Sequence, residues 1–325
     1  MNMQYIGTLG PACANDGMLS QMLEAGMTGL RLNLSHGGLR AHPDWLEAFG
    51  RARVQTGCPC GLILDLQGKE LRAGNTRPME LKDKEFIILG EELSVPRQLL
   101  STLVPGDELS LDDGKLLLQV LSGARCTVVR GGTLPPRKSI ALLGRKVLLP
   151  PLTEEDFDNL QMAKDFGVTA VMQPFVEEPS DIVHLRAALK NIGIGDATIL
   201  AKIESIDGVK QIGLLAKQAD VVVIARGDLG NAQPLWHVPV FQKHIAAACR
   251  RLGRPFWVAT QLLASLEQNA LPTRAEMNDI FTSVLDGAKG LVLTGETAVG
   301  RDPAGAIRWL RYAAEAADAY QKGAL

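Results

Sequence analysis

No GxxxxGK[ST] loop occurs in the 325 residues, and no GxGxxG follows a strand-like run. A nucleotide, if bound, is therefore held by neither a P-loop nor a Rossmann crevice. No charge of one sign dominates. The 34 Lys and Arg stand against 36 Asp and Glu, for a net charge of −2. That balance gives no general pull toward nucleic acid or an anionic membrane, so any anion site must be local. Histidine is scarce, at 5 residues, and forms no zinc-like pattern. The five cysteines, Cys13, Cys58, Cys60, Cys126 and Cys249, are odd in number. Cys58-Pro59-Cys60 lacks the usual zinc or redox spacing, so reduced thiols in a cytosolic protein are expected. Met1 to Tyr5 has no basic region ahead of an apolar stretch, which argues against a signal peptide. Apolar runs such as Val221 to Ala225 are too short to cross a bilayer. No fixed-period repeat or low-complexity segment stands out.

What is present is a large apolar share, 46%, with 22% charged residues, enough for a sizeable core. The length suits one barrel of about 250 residues plus an insertion. Short apolar runs at Tyr5–Leu9, Gly29–Leu34, Gly61–Leu66, Ala170–Phe175, Thr198–Glu204, Val221–Ala225, Pro255–Thr260 and Gly290–Thr294 read as strands. Most are apolar throughout, as parallel strands covered on both faces are. Amphipathic stretches separate them: Met18–Ala25, His42–Thr56, Asp156–Phe166, Asp181–Lys190, Val209–Gln218, Pro239–Arg251 and Arg274–Leu285. Thr153 with Asp156, and Thr273 with Glu276, carry capping signals. A last helix is expected over Ala304–Tyr320. Eight strands alternating with helices predict an α/β fold, a closed (β/α)8 TIM barrel.

One stretch breaks the rhythm. Residues 75–147 read as β-rich, with Asp112-Asp113-Gly114 between Glu108–Leu111 and Lys115–Val120, and Gly131-Gly132 after Cys126–Arg130. The expected organisation is a barrel over 1–74 and 148–325, interrupted after strand 3 by a small β-rich lid domain hinged over the barrel mouth.

Active sites of such barrels lie at the C-terminal ends of the strands. There the sequence places Arg31, Asn33, Ser35 and His36 after the second strand, Asp65 after the third, and Lys202 and Glu204 on the fifth. Asp228 follows the sixth, Thr260 ends the seventh, and Thr294 with Glu296 ends the eighth. Lys202 and Glu204 alternate, so both project to one face. A structural ion pair is the competing reading for that pair alone. Glu204 and Asp228 are hard oxygen donors suited to Mg²⁺ or Mn²⁺. For Asp228 the alternative is a turn or helix N-cap in Gly227-Asp228-Leu229-Gly230, whose amides could also receive a carboxylate or phosphate. Arg31 and Arg72 each offer a fork of donors to a phosphoryl group. No His is assigned a catalytic role.

These residues resemble the pyruvate kinase family along nearly the whole chain. Thr8-Leu9-Gly10-Pro11-Ala12 resembles its opening strand, and Gly26-Met27 through Arg31-Leu32-Asn33-Leu34-Ser35-His36-Gly37 its second strand and loop. Leu64-Asp65-Leu66-Gln67-Gly68-Lys69-Glu70-Leu71-Arg72 resembles the lead-in to its lid. Lys202-Ile203-Glu204, Ala225 through Gly230, Ala259-Thr260-Gln261, Pro272 through Glu276 and Gly295-Glu296-Thr297-Ala298 follow in the family's order. The resemblance implies conversion of phosphoenolpyruvate and ADP to pyruvate and ATP, through an enolpyruvate held by Mg²⁺ (or Mn²⁺), in a cytoplasmic glycolytic enzyme. It implies that Arg31 binds the substrate phosphate and Lys202 faces the phosphoryl group in transit. Glu204 and Asp228 hold the divalent metal, and the Gly227 and Asp228 amides meet the substrate carboxylate. Thr260 lies on the proton-delivery side. Arg72, Lys138 and, as a further candidate, His36 contact the nucleotide. Asn33, Ser35, Asp65 and the Leu66 carbonyl would cradle K⁺.

Departures from the family accompany these matches. The family's C-terminal domain is not expected here, nor with it the usual effector site and one subunit interface. The lid is shortened before Val104-Pro105-Gly106. Pro174 stands where Ser is usual, and Glu177 where a basic or polar residue is common. Leu66 and Gln67 resemble members that do without K⁺, Glu70 resembles members that need it, and Lys69 replaces a usual Pro. K⁺ dependence is therefore left open, the Lys69 ammonium either replacing the monovalent cation or simply pointing to solvent. A homodimer through the helices around Arg274 is compatible with the sequence. Two other readings compete: another Mg²⁺-dependent phosphoenolpyruvate or pyruvate enzyme (an aldolase or lyase, or phosphotransfer to an unusual acceptor), and a noncatalytic relative. Joint retention of Lys202, Glu204, Asp228 and Thr260 speaks against the last. Arg72 and Lys138 favour a nucleotide over an aldolase.

Overall fold

The computed structural model describes residues 3–112, 114–145, 147, 149–232 and 234–324. The chain divides into two compact units, Met1–Gly68 with Pro151–Leu325, and Lys69–Pro150. The second unit thus begins and ends slightly outside the 75–147 expected from sequence.

The first unit is a closed barrel of eight parallel strands in sequential order. They are β1 (Gln4–Thr8), β2 (Gly29–Asn33), β3 (Gly61–Asp65), β4 (Val168–Gln173), β5 (Thr198–Ile203), β6 (Val221–Ala225), β7 (Phe256–Ala259) and β8 (Gly290–Val292). Each coincides with an expected run to within two residues at either end. Their near-complete burial follows from the two-sided cover that their unbroken apolar character predicts. One face packs on the helices, where Leu30, Leu62, Val171, Ile199, Val222, Val258 and Leu291 join a large core. The other face fills the barrel with Ile6, Ile63, Ala170, Met172, Leu200, Val221, Val223, Trp257, Ala259 and Val292.

Small and large residues alternate inside the barrel so that the layers interdigitate. A Cβ on Gly290 would lie 2.5 Å from the Trp257 ring, and one on Gly29 would lie 2.7 Å from Ile6. Trp257 and Ile6 occupy the space that side chains at Gly290 and Gly29 would need.

The helices stand where periodicity puts them. The helix Pro43–Thr56 ends at Gly57 in the left-handed conformation, and Arg274–Leu285 begins with a capping box between Thr273 and Glu276. The final helix spans Pro303–Gln321 and is capped by Asp302. The stretch expected as one helix over Val209–Gln218 is instead two, Ile206–Lys210 and Ile212–Gln218, broken at Gln211. The Ser205 side chain starts the first of these by accepting from the Gly208 amide. Among the described residues no helix is long and apolar enough to cross a membrane.

Asp156 has two jobs. Its carboxylate closes the capping box on Thr153, and it also accepts from the amides of Gln67 and Gly68 at 2.9 and 3.0 Å. Gly68 has φ +54, and a Cβ there would lie 2.6 Å from Pro174. The Pro at that unusual position therefore packs on a backbone only glycine can offer.

The second unit is antiparallel. Five strands run in the order Ile140–Leu142, Glu108–Leu111, Leu116–Ser122, Arg125–Arg130, Phe86–Ile88, beside a two-stranded pair of Met79–Leu81 and Gly132–Leu134. The unit has its own core, which includes Leu81, Ile87, Leu109, Leu118, Val128 and Leu134. The hairpin expected at Asp112-Asp113-Gly114 joins Glu108–Leu111 to Leu116–Ser122, although Asp113 itself lies outside the described residues.

Candidate active site

The parity of the barrel strands selects the site. Thr8, Asp65, Lys202 and Thr294 each stand two residues beyond an inward-facing member of the barrel core: Ile6, Ile63, Leu200 and Val292. They therefore share its face at the C-terminal end. Arg31 sits beside Thr8 in register, and Asn33 beside Asp65. The sequence reading put Arg31 after its strand. It lies inside β2, which is why its side chain is buried.

The result is a buried ionic cluster. Arg31 Nε and Nη2 donate to Asp65 Oδ2 at 2.7 and 2.6 Å, and Nη1 donates to Thr8 Oγ1 at 3.0 Å. Thr8 passes its own proton to the Leu293 carbonyl at 2.7 Å. Lys202 Nζ lies 3.2 and 3.3 Å from the two Asp65 oxygens and 3.0 Å from Glu204 Oε1. Glu204 Oε2 accepts from the Phe175 amide at 2.8 Å. Phe175 holds φ +48, so a residue in a disfavoured conformation delivers that amide.

Charge states follow from these contacts. Burial alone would raise the Asp65 carboxyl, but Lys202 and Arg31 outweigh it and hold it below the usual range. Burial alone would lower Lys202, yet Asp65, Glu204 and Asp228 keep its ammonium charged well above neutrality. Glu204 is pushed up to about 7 by burial, opposed by Lys202 and reinforced by Asp228 and Asp65. A buried carboxylate raised by a second one nearby fits a divalent cation with hard oxygen ligands, water and substrate completing the sphere. Among the described residues no group of three or more His, Cys, Asp and Glu side chains gathers in a metal-binding arrangement.

Asp228 stands in the first turn of a helix, Arg226–Ala232, not in an open turn. The Gly227 amide donates to Thr260 Oγ1 at 2.9 Å, so that amide is already engaged within the protein. Thr260 and Gln261 hold φ +72 and +54. Asn33, the last residue of β2, accepts from the Ser35 amide in the turn that follows, at 3.2 Å, and Asp65 ends β3 with Leu66 next in the chain.

A pocket of about 450 Å³ opens beside this cluster, lined among others by Pro11, Arg31, Asn33, His36, His42 and Trp45. The His42 and Trp45 rings stack, with centroids 4.0 Å apart. In the second unit Arg72 bridges Ser139, donates to the Arg137 carbonyl at 2.7 Å and pairs with Glu70 at 2.7 Å. Lys138 pairs with Asp112 at 3.0 Å. Arg72 and Lys138 are thus neighbours within that unit.

Not every polar strand end belongs to the site. Glu296 is spent on structure: it accepts from the Leu263 amide at 3.0 Å and the Thr294 amide at 2.6 Å, tying together the loops after β7 and β8. Sequence reasoning also missed Thr8 as a partner of Arg31, although its parity with Ile6 could have shown it. Trp45 lies within the amphipathic stretch His42–Thr56, and no local signal marks its side chain as a pocket wall.

Comparison with known proteins agrees with the geometry. The family model described as pyruvate kinase, barrel domain, matches residues 1–307. A pyruvate kinase of Aeropyrum pernix is 37% identical over 315 residues, covering 94% of this chain and 69% of the relative. One of Mycobacterium intracellulare is 36% identical over 321 residues, covering 94% and 68%. The crystal structure of a pyruvate kinase from Cryptosporidium parvum superposes with a TM-score of 0.84 at 30% identity, covering 98% of this chain and 69% of that one. With the barrel closed in the same way and the family's charged residues gathered at its mouth, this chain belongs to the pyruvate kinase family.

Proposed function

We propose that this chain is a phosphotransferase that converts phosphoenolpyruvate and ADP to pyruvate and ATP. The observation that carries the reading is the buried Arg31–Asp65–Lys202–Glu204 cluster at the barrel mouth, in which a charged ammonium is aimed by two carboxylates. Phosphoryl transfer needs little covalent help from a protein. It needs positioning and charge neutralisation in a dry site.

Arg31 is fixed by Thr8 and Asp65, so its guanidinium is pre-oriented for the substrate phosphate. Lys202 meets the charge on the phosphoryl group as it moves. Glu204 and Asp228 would hold Mg²⁺ or Mn²⁺, which supplies further neutralisation of phosphate and enolate oxygens when bound. The Asp228 and Gly227 amides receive the carboxylate, and Thr260 stands on the proton-delivery side. Once the phosphoryl group has left, the C2–C3 electron pair of the enolate takes a proton at C3 and C2–O becomes the carbonyl. Thr260 relays that proton and regains one from water. The pocket walled by His36 and the Trp45 ring suits the nucleotide; Arg72 and Lys138, within their own unit, are cations of the kind that bind nucleotide phosphates. Asn33, Ser35, Asp65 and the Leu66 carbonyl would hold K⁺.

A coupled assay with phosphoenolpyruvate, ADP and Mg²⁺, with and without K⁺, tests the reading. Stoichiometric ATP and pyruvate are expected. Pyruvate proton exchange without ATP would overturn the phosphotransferase reading and leave an enolate site serving another reaction; absence of both signals would overturn the enolpyruvate reading as well. Equal rates without K⁺ would remove the K⁺ site. The same reading places the protein in the cytoplasm and pairs it with a second copy through the helices around Arg274; light scattering showing only monomers would refute the dimer.

A further inference from the structure

Thr260 and Gln261 are consecutive, carry side chains, and both hold left-handed backbone at φ +72 and +54. Such a pair persists only where the surroundings impose it. Arg226 imposes it. Its Nη2 donates to the Thr260 carbonyl at 2.8 Å and to the Gln261 carbonyl at 3.1 Å, and its Nε donates to Thr260 O at 3.2 Å. Its Nη1 faces the other way, toward both Asp279 oxygens at 2.8 and 2.6 Å. The Arg226 side chain is only 10% exposed. Every arm of the guanidinium is thus engaged, three bonds on the two carbonyls and two on the brace. Lysine, a point charge on a flexible stem, cannot hold two carbonyls and a carboxylate in one plane.

A second link joins the same two segments. The amide of Gly227, next in the chain after Arg226, donates to Thr260 Oγ1 at 2.9 Å. The side chain of one residue fixes the Thr260 backbone while the amide of the next fixes its hydroxyl. An oxygen that accepts this amide keeps its own proton to give. None of the hydrogen bonds of the Arg226 side chain reaches the Arg31–Asp65–Lys202–Glu204 cluster.

We propose that Arg226, braced by Asp279 on the helix Arg274–Leu285, is a positioning residue for enolate protonation, aiming the Thr260 hydroxyl without touching substrate. The proposal rests on the enolpyruvate reading above. It separates Arg226 from the phosphoryl-transfer groups, because only the proton-delivery side of the site depends on the left-handed turn.

The test compares the whole protein with Arg226→Lys and Asp279→Asn in two assays. One follows phosphoenolpyruvate turnover with ADP and Mg²⁺ in H₂O and D₂O. The other follows Mg²⁺-dependent loss of the pyruvate methyl signal in D₂O by proton NMR. For Arg226→Lys, methyl exchange falls at least about tenfold, as loss of a well-aimed acid–base group does. kcat falls with it, while KM for phosphoenolpyruvate moves less than about threefold. The solvent isotope effect on kcat rises, because proton delivery becomes slower than phosphoryl transfer. Asp279→Asn moves each quantity the same way by a smaller factor, and it decides the matter if Arg226→Lys does not fold. Unchanged exchange and isotope effect in a folded variant would overturn the proposal, as would a loss of kcat with no rise in the isotope effect. A wild-type protein silent in both assays would overturn the functional reading and this proposal together.

Discussion

Lys202 is the residue on which most of the buried charge depends, and replacing it with methionine keeps the stem while deleting the ammonium. Asp65 would retain both Arg31 bonds, at 2.7 and 2.6 Å. Glu204 would keep only the Phe175 amide. Breaking a buried pair from one side typically costs about 3–5 kcal/mol, because the other charge is left uncompensated. The cost depends on pH in a way the structure dictates. Burial already raises Glu204 to about 7 against the opposition of Lys202, so removing Lys202 raises it further. A carboxyl raised in the folded state binds its proton more tightly there than in the unfolded chain. Its contribution is most favourable at low pH and is lost as pH rises from the unfolded value through the folded one. Metal-free Lys202→Met should therefore be least stable at pH 8 and recover part of the loss by pH 6, read as urea midpoints in EDTA at each pH. Activity should divide differently. Phosphoenolpyruvate turnover falls by at least about 10²–10³, the usual loss for one preorganised stabilising group. Mg²⁺-dependent proton exchange of pyruvate survives in part, since the Thr260 side of the site is intact. A fully active variant, or a destabilisation equal at pH 6 and pH 8, would refute this account of the cluster.

Three further outcomes are expected. Glu204→Gln should weaken Mg²⁺ binding by about tenfold or more, because one of two anionic ligands is neutralised; an unchanged metal titration would move the site elsewhere. Trp45→Ala should raise KM for ADP by about fivefold or more, as loss of a base–aromatic stack worth about 1–3 kcal/mol does, and leave KM for phosphoenolpyruvate nearly unchanged; a change confined to phosphoenolpyruvate would take the nucleotide out of that pocket. Gly290→Ala places a Cβ 2.5 Å from Trp257 and should cost about 1–3 kcal/mol by overpacking, with altered near-ultraviolet dichroism; wild-type stability would show that the barrel floor can yield.

The barrel was legible because its signals are local. Each strand is a short, nearly unbroken apolar run, and each intervening helix repeats at its own period, so element type needs no knowledge of neighbours. The placement of Lys202 and Glu204 on one face followed from strand parity alone. The order of the polar strand ends, from Arg31 to Thr260, could be read in the same way once a barrel was expected.

The sequence by itself therefore determined the architecture and most of the residues at the barrel mouth. Tertiary structure decided what those residues do to one another. Asp65 serves both Arg31 and Lys202, which lie 34 and 137 positions away in the chain, and only barrel closure brings them together. Glu296 stood among the polar strand ends, yet its carboxylate ties two loops, and Trp45 both packs on the core and walls a pocket. The left-handed turn at Thr260 leaves no trace in residue type, since neither Thr nor Gln favours it. Its cause is a guanidinium at Arg226 and a carboxylate at Asp279, contacts made across the fold and therefore invisible to any window of sequence.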